Sequence, residues 1–132
     1  MTNKLTRNQM LVFSVLEKEK APLSAYTILD RLRGEGLRAP LQIYRALEKL
    51  VAEKRVHRLE SVNAFMACSH PEQHGHGITV FIICDKCNKV SELESHSIAD
   101  NILLMTQKIG FLQRNSTIEI HGLCANCNSK QF

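Results

Sequence analysis

"PLQIYRALEKLVAEKRVHRLESVNAFMAC" (Pro40–Cys68) decides the fold of the first half of this chain. Proline suits the first turn of a helix, because its missing N–H has no intrahelical partner there. From Pro40 onward Ile43, Leu47, Leu50 and Val51 recur at helical spacing and predict one inward face. Gln42, Arg45 and Lys49 share another face, with Tyr44 beside them. A helix that buries one side and offers hydrogen-bond donors and positive charge on the other suits a DNA major groove. It also suits plain solvation, so the helix alone does not decide between the two. The two short strand-like runs that follow, "RVHRLE" and "AFMAC", are joined by "SVN" and predict a hairpin.

Two further helices precede this unit. Thr6 and Gln9 have capping-box spacing, ahead of an apolar face of Leu11, Val12, Val15 and Leu16. Pro22 ends that region. Ser24 is a candidate cap for a second helix with Ile28, Leu29 and Leu32 on its core side and Gly36 just beyond. Three helices followed by a hairpin make a winged helix. Residues 1–65 hold 12 Lys and Arg against 7 Asp and Glu, whereas residues 66–132 hold 5 against 6. A basic first half is the electrostatic mark of a polyanion partner.

"SHPEQHGHG" (residues 69–77) is polar and carries Pro and Gly, and reads as a hinge between domains 1–68 and 78–132. Beyond it the order is strand ("ITVFIIC"), turn, strand ("KVSELE"), helix, strand ("TIEIHG") and turn. The helix carries Ile98, Ile102, Met105 and Ile109 as one stripe. The expected fold class is mixed α/β (α+β): a winged-helix DNA-binding domain followed by a small α/β dimerisation domain. So small a second core calls for a metal and a partner subunit.

The metal has obvious ligands. Cys84 and Cys87 form one Cys-x-x-Cys pair, and Cys124 and Cys127 another. Two thiolates in one turn can reach the same ion, and two such knuckles make a tetrahedral four-thiolate site suited to Zn²⁺ in a structural role. Thiol redox chemistry and an iron–sulfur cluster are the competing readings. A site closed by four tight ligands senses poorly, because it is filled whenever the protein is folded. Sensing needs weaker, mixed ligands on elements that move. His57, Cys68, the hinge histidines His70, His74 and His76, and Glu92 provide such a set; Cys68 also reads as an apolar buried thiol.

Several classes are excluded or disfavoured. The longest apolar run, Ile78–Cys84, is too short to span a bilayer. "MTNKLTRNQM" has no apolar signal core, which predicts retention in the cytoplasm, and five cysteines there are expected as reduced thiols. No nucleophile, base or phosphate loop accompanies the metal ligands, so an enzyme with a small-molecule substrate is not expected.

Together, "LSAYTILDRLR" (Leu23–Arg33), "IYRALEKLVAEKRVHRLES" (Ile43–Ser61), "FIICDKCNKVSELE" (Phe81–Glu94) and "IEIHGLCANC" (Ile118–Cys127) resemble the ferric uptake regulator family, most of all its zinc-responsive branch. The resemblance implies a cytoplasmic homodimer that binds operator DNA when metal-loaded and represses transcription of zinc uptake and homeostasis genes. It implies two Zn²⁺ per chain: a structural ion on Cys84, Cys87, Cys124 and Cys127, and a regulatory ion on His57, Cys68, Glu92 and His76, with His74 the alternative to His76. Tyr26, Tyr44 and Arg45 match DNA-contact positions, to which the helix face adds Gln42 and Lys49. Asp30 and Arg33 match positions where adjacent dimers pair charges. "GITVFIIC" lacks the histidine-rich run common in the iron and peroxide branches, which counts against iron. Sensing of iron or manganese within the family, and a constitutive DNA-binding module with structural zinc only, are the alternatives.

Overall fold

The computed structural model describes residues 4–19, 21–68, 78–114 and 116–128. The chain divides into two compact units, Met1–Glu72 and Gln73–Phe132. The segment read as a hinge, with His70, His74 and His76, lies outside the described residues.

The first unit is a winged helix: α1 (Arg7–Lys18), α2 (Ala25–Leu32), α3 (Pro40–Ala52), β1 (Val56–Leu59) and β2 (Ala64–Ala67). Helix α1 begins in a true capping box. Thr6 Oγ1 accepts from the Gln9 amide, and Gln9 Oε1 accepts from the Thr6 amide. Ser24 caps α2 by accepting from Thr27 N. After α2 a single 3₁₀ turn, Arg33–Glu35, closes at Gly36, whose φ of +94° suits a residue without Cβ. Strands β1 and β2 pair antiparallel, with His57 opposite Met66. Asn63 makes the turn between them in the left-handed region. Leu23 and Phe65 exchange both backbone hydrogen bonds at 2.8 Å, which adds a third, one-residue strand to the wing.

The core of this unit gathers Val12 and Leu16 of α1, Ile28, Leu29 and Leu32 of α2, and Ile43, Ala46, Leu47 and Leu50 of α3, against Val56 and Phe65 of the wing. Two positions on α3 depart from the reading of its faces. Val51 was expected inside but lies on the surface, because the buried stripe at 43, 46, 47 and 50 already fills the side turned to α1 and α2. Gln42 was expected on the outward face but is half-buried, and its Oε1 accepts from the amides of Arg38 and Ala39 at 3.0 and 3.1 Å. Ala39 has no side chain able to cap, and Gln42 instead reaches back to the two backbone N–H groups just ahead of the helix.

The second unit holds β3 (Ile78–Cys84), β4 (Val90–Ser95), α4 (His96–Lys108), β5 (Thr117–Gly122) and a short helix α5 (Ala125–Asn128) where a turn was expected. The sheet order is β4-β3-β5. Central β3 runs antiparallel to β4 and parallel to β5. Parallel neighbours require a long crossover, and β4 with α4 supplies it. On one sheet face the register aligns Leu93, Val80 and Ile118 in one row and Ser91, Ile82 and Ile120 in the next. The stripe predicted on α4 is present, but Ile98, Met105 and Ile109 are exposed in the single chain.

Two substitutions test this account of α3. Leu50→Ala removes a fully buried side chain and is expected to lower the unfolding free energy of the first unit by about 2–5 kcal/mol. Gln42→Ala is expected to cost about 1–2 kcal/mol through the two lost capping bonds. Both are read by urea titration followed by circular dichroism. No loss for Gln42→Ala would remove the capping role.

Candidate metal centre and nucleic-acid interface

The cysteine cluster is a product of strand direction. Because β5 runs parallel to β3, the last residues of the two strands, Cys84 and Gly122, are paired neighbours. Cys87 follows in the β3–β4 turn and Cys124 just after β5, so both knuckles stand at the same end of the sheet. The Asp85 amide donates to the Gly122 carbonyl at 2.8 Å and ties the two turns together. Asp85 Oδ1 and His121 Nδ1 add a second tie at 2.8 Å. Within the first knuckle Asn88 N donates to the Cys84 carbonyl, and Asn88 turns the chain with a φ of +66°. Within the second, Asn128 N donates to the Cys124 carbonyl.

The four sulfurs of Cys84, Cys87, Cys124 and Cys127 lie within 4.8 Å of one another. Those of Cys87 and Cys124 are 3.8 Å apart. A tetrahedral ion with metal–sulfur bonds of about 2.3 Å needs sulfurs about 3.8 Å apart, so the group fits Zn²⁺. The electrostatics agree. Amides of Cys87 and Cys124 donate to the Cys84 sulfur and lower its pKa to about 6. The amide of Cys127 lowers that of Cys124 in the same way. Cys127 bears the cost, its pKa raised to about 12 chiefly by the Cys124 sulfur beside it. Negative charge is thus drawn to one spot until the last thiol resists ionisation, and a bound cation removes that conflict.

The second set of candidate ligands is distributed over both units. His57 lies on β1, and Cys68 follows β2, its amide donating to the Arg55 carbonyl at 2.9 Å. The antiparallel pairing of the wing brings the two side chains together, with ligand atoms within 4.8 Å. Both are half-buried. Glu92 is half-buried on β4, with Phe81 opposite it on β3. His76 and His74 lie outside the described residues.

On the outer face of α3, Tyr44 and Arg45 are exposed. Lys49 is exposed and pairs with Glu53 at 3.2 Å. Tyr26 stands 63% exposed on α2. Asp30 and Arg33 pair with each other, Arg33 Nε donating to Asp30 Oδ1 at 3.1 Å. Sequence reasoning overlooked three parts of this surface. Leu41 and Glu48 are exposed beside Tyr44 and Arg45, at the spacing that shares a helix face. Arg58, on β1, reaches the same groove between α3 and the wing. Spacing within α3 signals the first two; nothing in the linear sequence signals the third.

Comparison with known proteins places these features. The model of the ferric uptake regulator family matches residues 1–121. The zinc uptake regulation protein of Escherichia coli K12 is 36% identical over 125 residues, covering 94% of this chain and 72% of that protein. A zinc uptake regulator solved in complex with zinc and DNA is 34% identical, with a TM-score of 0.90 over 97% of this chain and 85% of that one. Holo XcZur is 38% identical with a TM-score of 0.87, covering 98% of this chain and 89% of that one. The winged helix, the α/β unit and the paired cysteine knuckles therefore stand in a chain that belongs to the ferric uptake regulator family.

Proposed function

We propose that this protein is a zinc-responsive transcriptional repressor that binds operator DNA as a cytoplasmic homodimer, with zinc as co-repressor for zinc uptake and homeostasis genes. The observation that carries this reading is the whole-chain likeness, at a TM-score of 0.90, to a regulator solved with zinc and DNA. The residues support it locally. Helix α3 buries one side and presents Tyr44 and Arg45 on the other. In a dimer, two such helices would enter major-groove faces roughly 34–36 Å apart. Residues 1–68 act as the DNA-binding domain, 69–77 as the hinge and 78–132 as the dimerisation domain. Exposed Leu103, Leu104, Met105, Ile109, Phe111 and Leu112 give the last of these an apolar surface suited to a second copy of the chain.

Two ions have different tasks. The structural ion takes Cys84, Cys87, Cys124 and Cys127, where four soft donors close the coordination sphere. The regulatory ion takes His57, Cys68, Glu92 and His76 (His74 the alternative), a ligand set that follows from the family resemblance. A ligand set of mixed softness favours Zn²⁺ over Mn²⁺. Zinc raises DNA affinity only through its stronger binding to the DNA-competent state. Tyr26, Tyr44, Arg45 and Lys49 face the DNA; Gln42, with its oxygen engaged in capping, retains only its amino group for a contact. Asp30 and Arg33 would have to exchange their mutual pair for partners on an adjacent dimer.

Zinc per chain, measured by atomic emission before and after dialysis against a mild chelator, is expected to fall from two to one and to return to two on re-addition. In Cys68→Ser the exchangeable ion and zinc-dependent DNA binding are both expected to be lost, while the retained ion stays. A constant single ion would overturn the sensing role and leave a DNA-binding module with structural zinc. Restoration of DNA binding by iron or manganese, but not zinc, would overturn the choice of metal. Arg45→Ala is expected to cost about 1–3 kcal/mol of discrimination between operator and unrelated sequence, measured by competition binding of zinc-loaded protein. Equal weakening on every sequence would end its base-reading role.

A further inference from the structure

The arginines of the winged helix fall into two groups. Arg7 pairs with Glu35, Arg31 with Glu19, Arg33 with Asp30 and Arg55 with Glu53. Arg38, Arg45 and Arg58 make no ion pair among the described residues. Two of these three line one groove of about 450 Å³ between α3 and the wing, with Leu41, Tyr44, Glu48 and Phe65. Arg58 is exposed, and its guanidinium stands 5.9 Å from the centre of the Phe65 ring. Phe65 is buried and locked on both sides, by β1 and by its two hydrogen bonds to Leu23. An arginine lying over a fixed ring keeps its charge and loses part of its side-chain freedom before any ligand arrives. The groove therefore holds two guanidinium groups without an ion pair, on α3 and on β1, and one carboxylate, Glu48, which leaves it net positive.

We propose that Arg58 is a phosphate clamp: the groove receives one sugar–phosphate strand of the DNA, with α3 reading bases on one side and Arg58 holding the backbone from the wing. This rests on the reading of the protein as DNA-binding. The chemistry favours a phosphodiester strand over a small anion. The lining is partly apolar, as deoxyribose requires, and the two cations stand on separate elements. A contact of this type positions the protein on the duplex and carries no sequence information of its own. Arg45 and Arg58 thus divide the work: one discriminates, the other anchors.

The test measures binding of zinc-loaded wild-type, Arg58→Gln and Arg58→Lys proteins to operator DNA, obtained by selection from random duplexes, and to an unrelated duplex. Each is titrated from 50 to 200 mM salt. Arg58→Gln is expected to reduce the slope of log K against log salt by about 0.9 per protomer, and to weaken both duplexes alike, by roughly fivefold per protomer at 0.15 M salt. Arg58→Lys keeps the charge and is expected to keep the slope, which separates a charge contact from loss of packing on Phe65. An unchanged slope in Arg58→Gln, or a loss confined to the operator, overturns the clamp. If the zinc-loaded wild type binds no DNA, the proposed function fails first, and the clamp with it. If it binds and the slope is insensitive to Arg58, only the clamp fails.

Discussion

The second half of this molecule depends on the parallel pairing of β3 with β5. In that register Cys84 is beside Gly122, and the two Cys-x-x-Cys turns stand at one end of the sheet. Were β5 antiparallel to β3, its C-terminal end would lie beside Ile78 and the knuckles would be separated by the length of the strand. A parallel pair costs more chain entropy to form than a hairpin, because its ends close a longer loop. A metal shared by the two strand ends would offset that cost where it arises. The Asp85–His121 tie and the Asp85-to-Gly122 hydrogen bond join the two turns at the same corner as the four sulfurs.

In the winged helix the corresponding constraint is the division of α3 into faces. Ile43, Ala46, Leu47 and Leu50 are buried against α1 and α2, which leaves Leu41, Tyr44, Arg45 and Glu48 outside. The helix is held at its start by Gln42 and at its end by Lys49 paired with Glu53. Exposed ion pairs contribute little stability, about 0–1 kcal/mol each. Their larger effect is on charge: each pair withdraws one cation from the surface a polyanion would see. Arg45 and Arg58, which make no ion pair among the described residues, are two cations that remain beside α3.

Much of this was legible in the sequence because local rules act alone. Thr6 with Gln9, Ser24, Pro40 and Gly36 mark helix ends by chemistry confined to a few residues, and all stand where those rules put them. The three-helix and hairpin order follows from apolar periodicity in the same way. What was not legible depends on competition between distant groups. Val51 shares the spacing of the core residues, yet the partners of α3 occupy another arc of the helix. Gln42 has the spacing of the outward face, but backbone amides without partners claimed its oxygen. Arg58 lies seven or more residues from the α3 positions that line the groove with it, and no periodicity links a strand to a helix. The four cysteines were legible as a set; that β5 lies parallel to β3, which is why they meet, was not.

The two candidate metal sites also differ in what a cation gains by binding. Four sulfurs within 4.8 Å, one of them, Cys127, resisting ionisation chiefly through its hydrogen bond to the Cys124 sulfur, make a site suited to a dication. Affinity of that kind would be folding free energy. His57 and Cys68 offer a different balance. They are half-buried, lie on β1 and just past β2 of the wing with ligand atoms within 4.8 Å, and mix an imidazole with one thiol. With Glu92 the proposed regulatory set has two anionic donors against four in the cysteine cluster, which would give weaker binding, and a weakly held ion is the one whose occupancy changes with supply. A ligand filled at every zinc level transmits nothing, however large its effect on structure; one half-filled at the working level transmits most. The proposed division into a structural and a regulatory ion therefore rests on a difference in donor chemistry between the thiolate cluster and the mixed set.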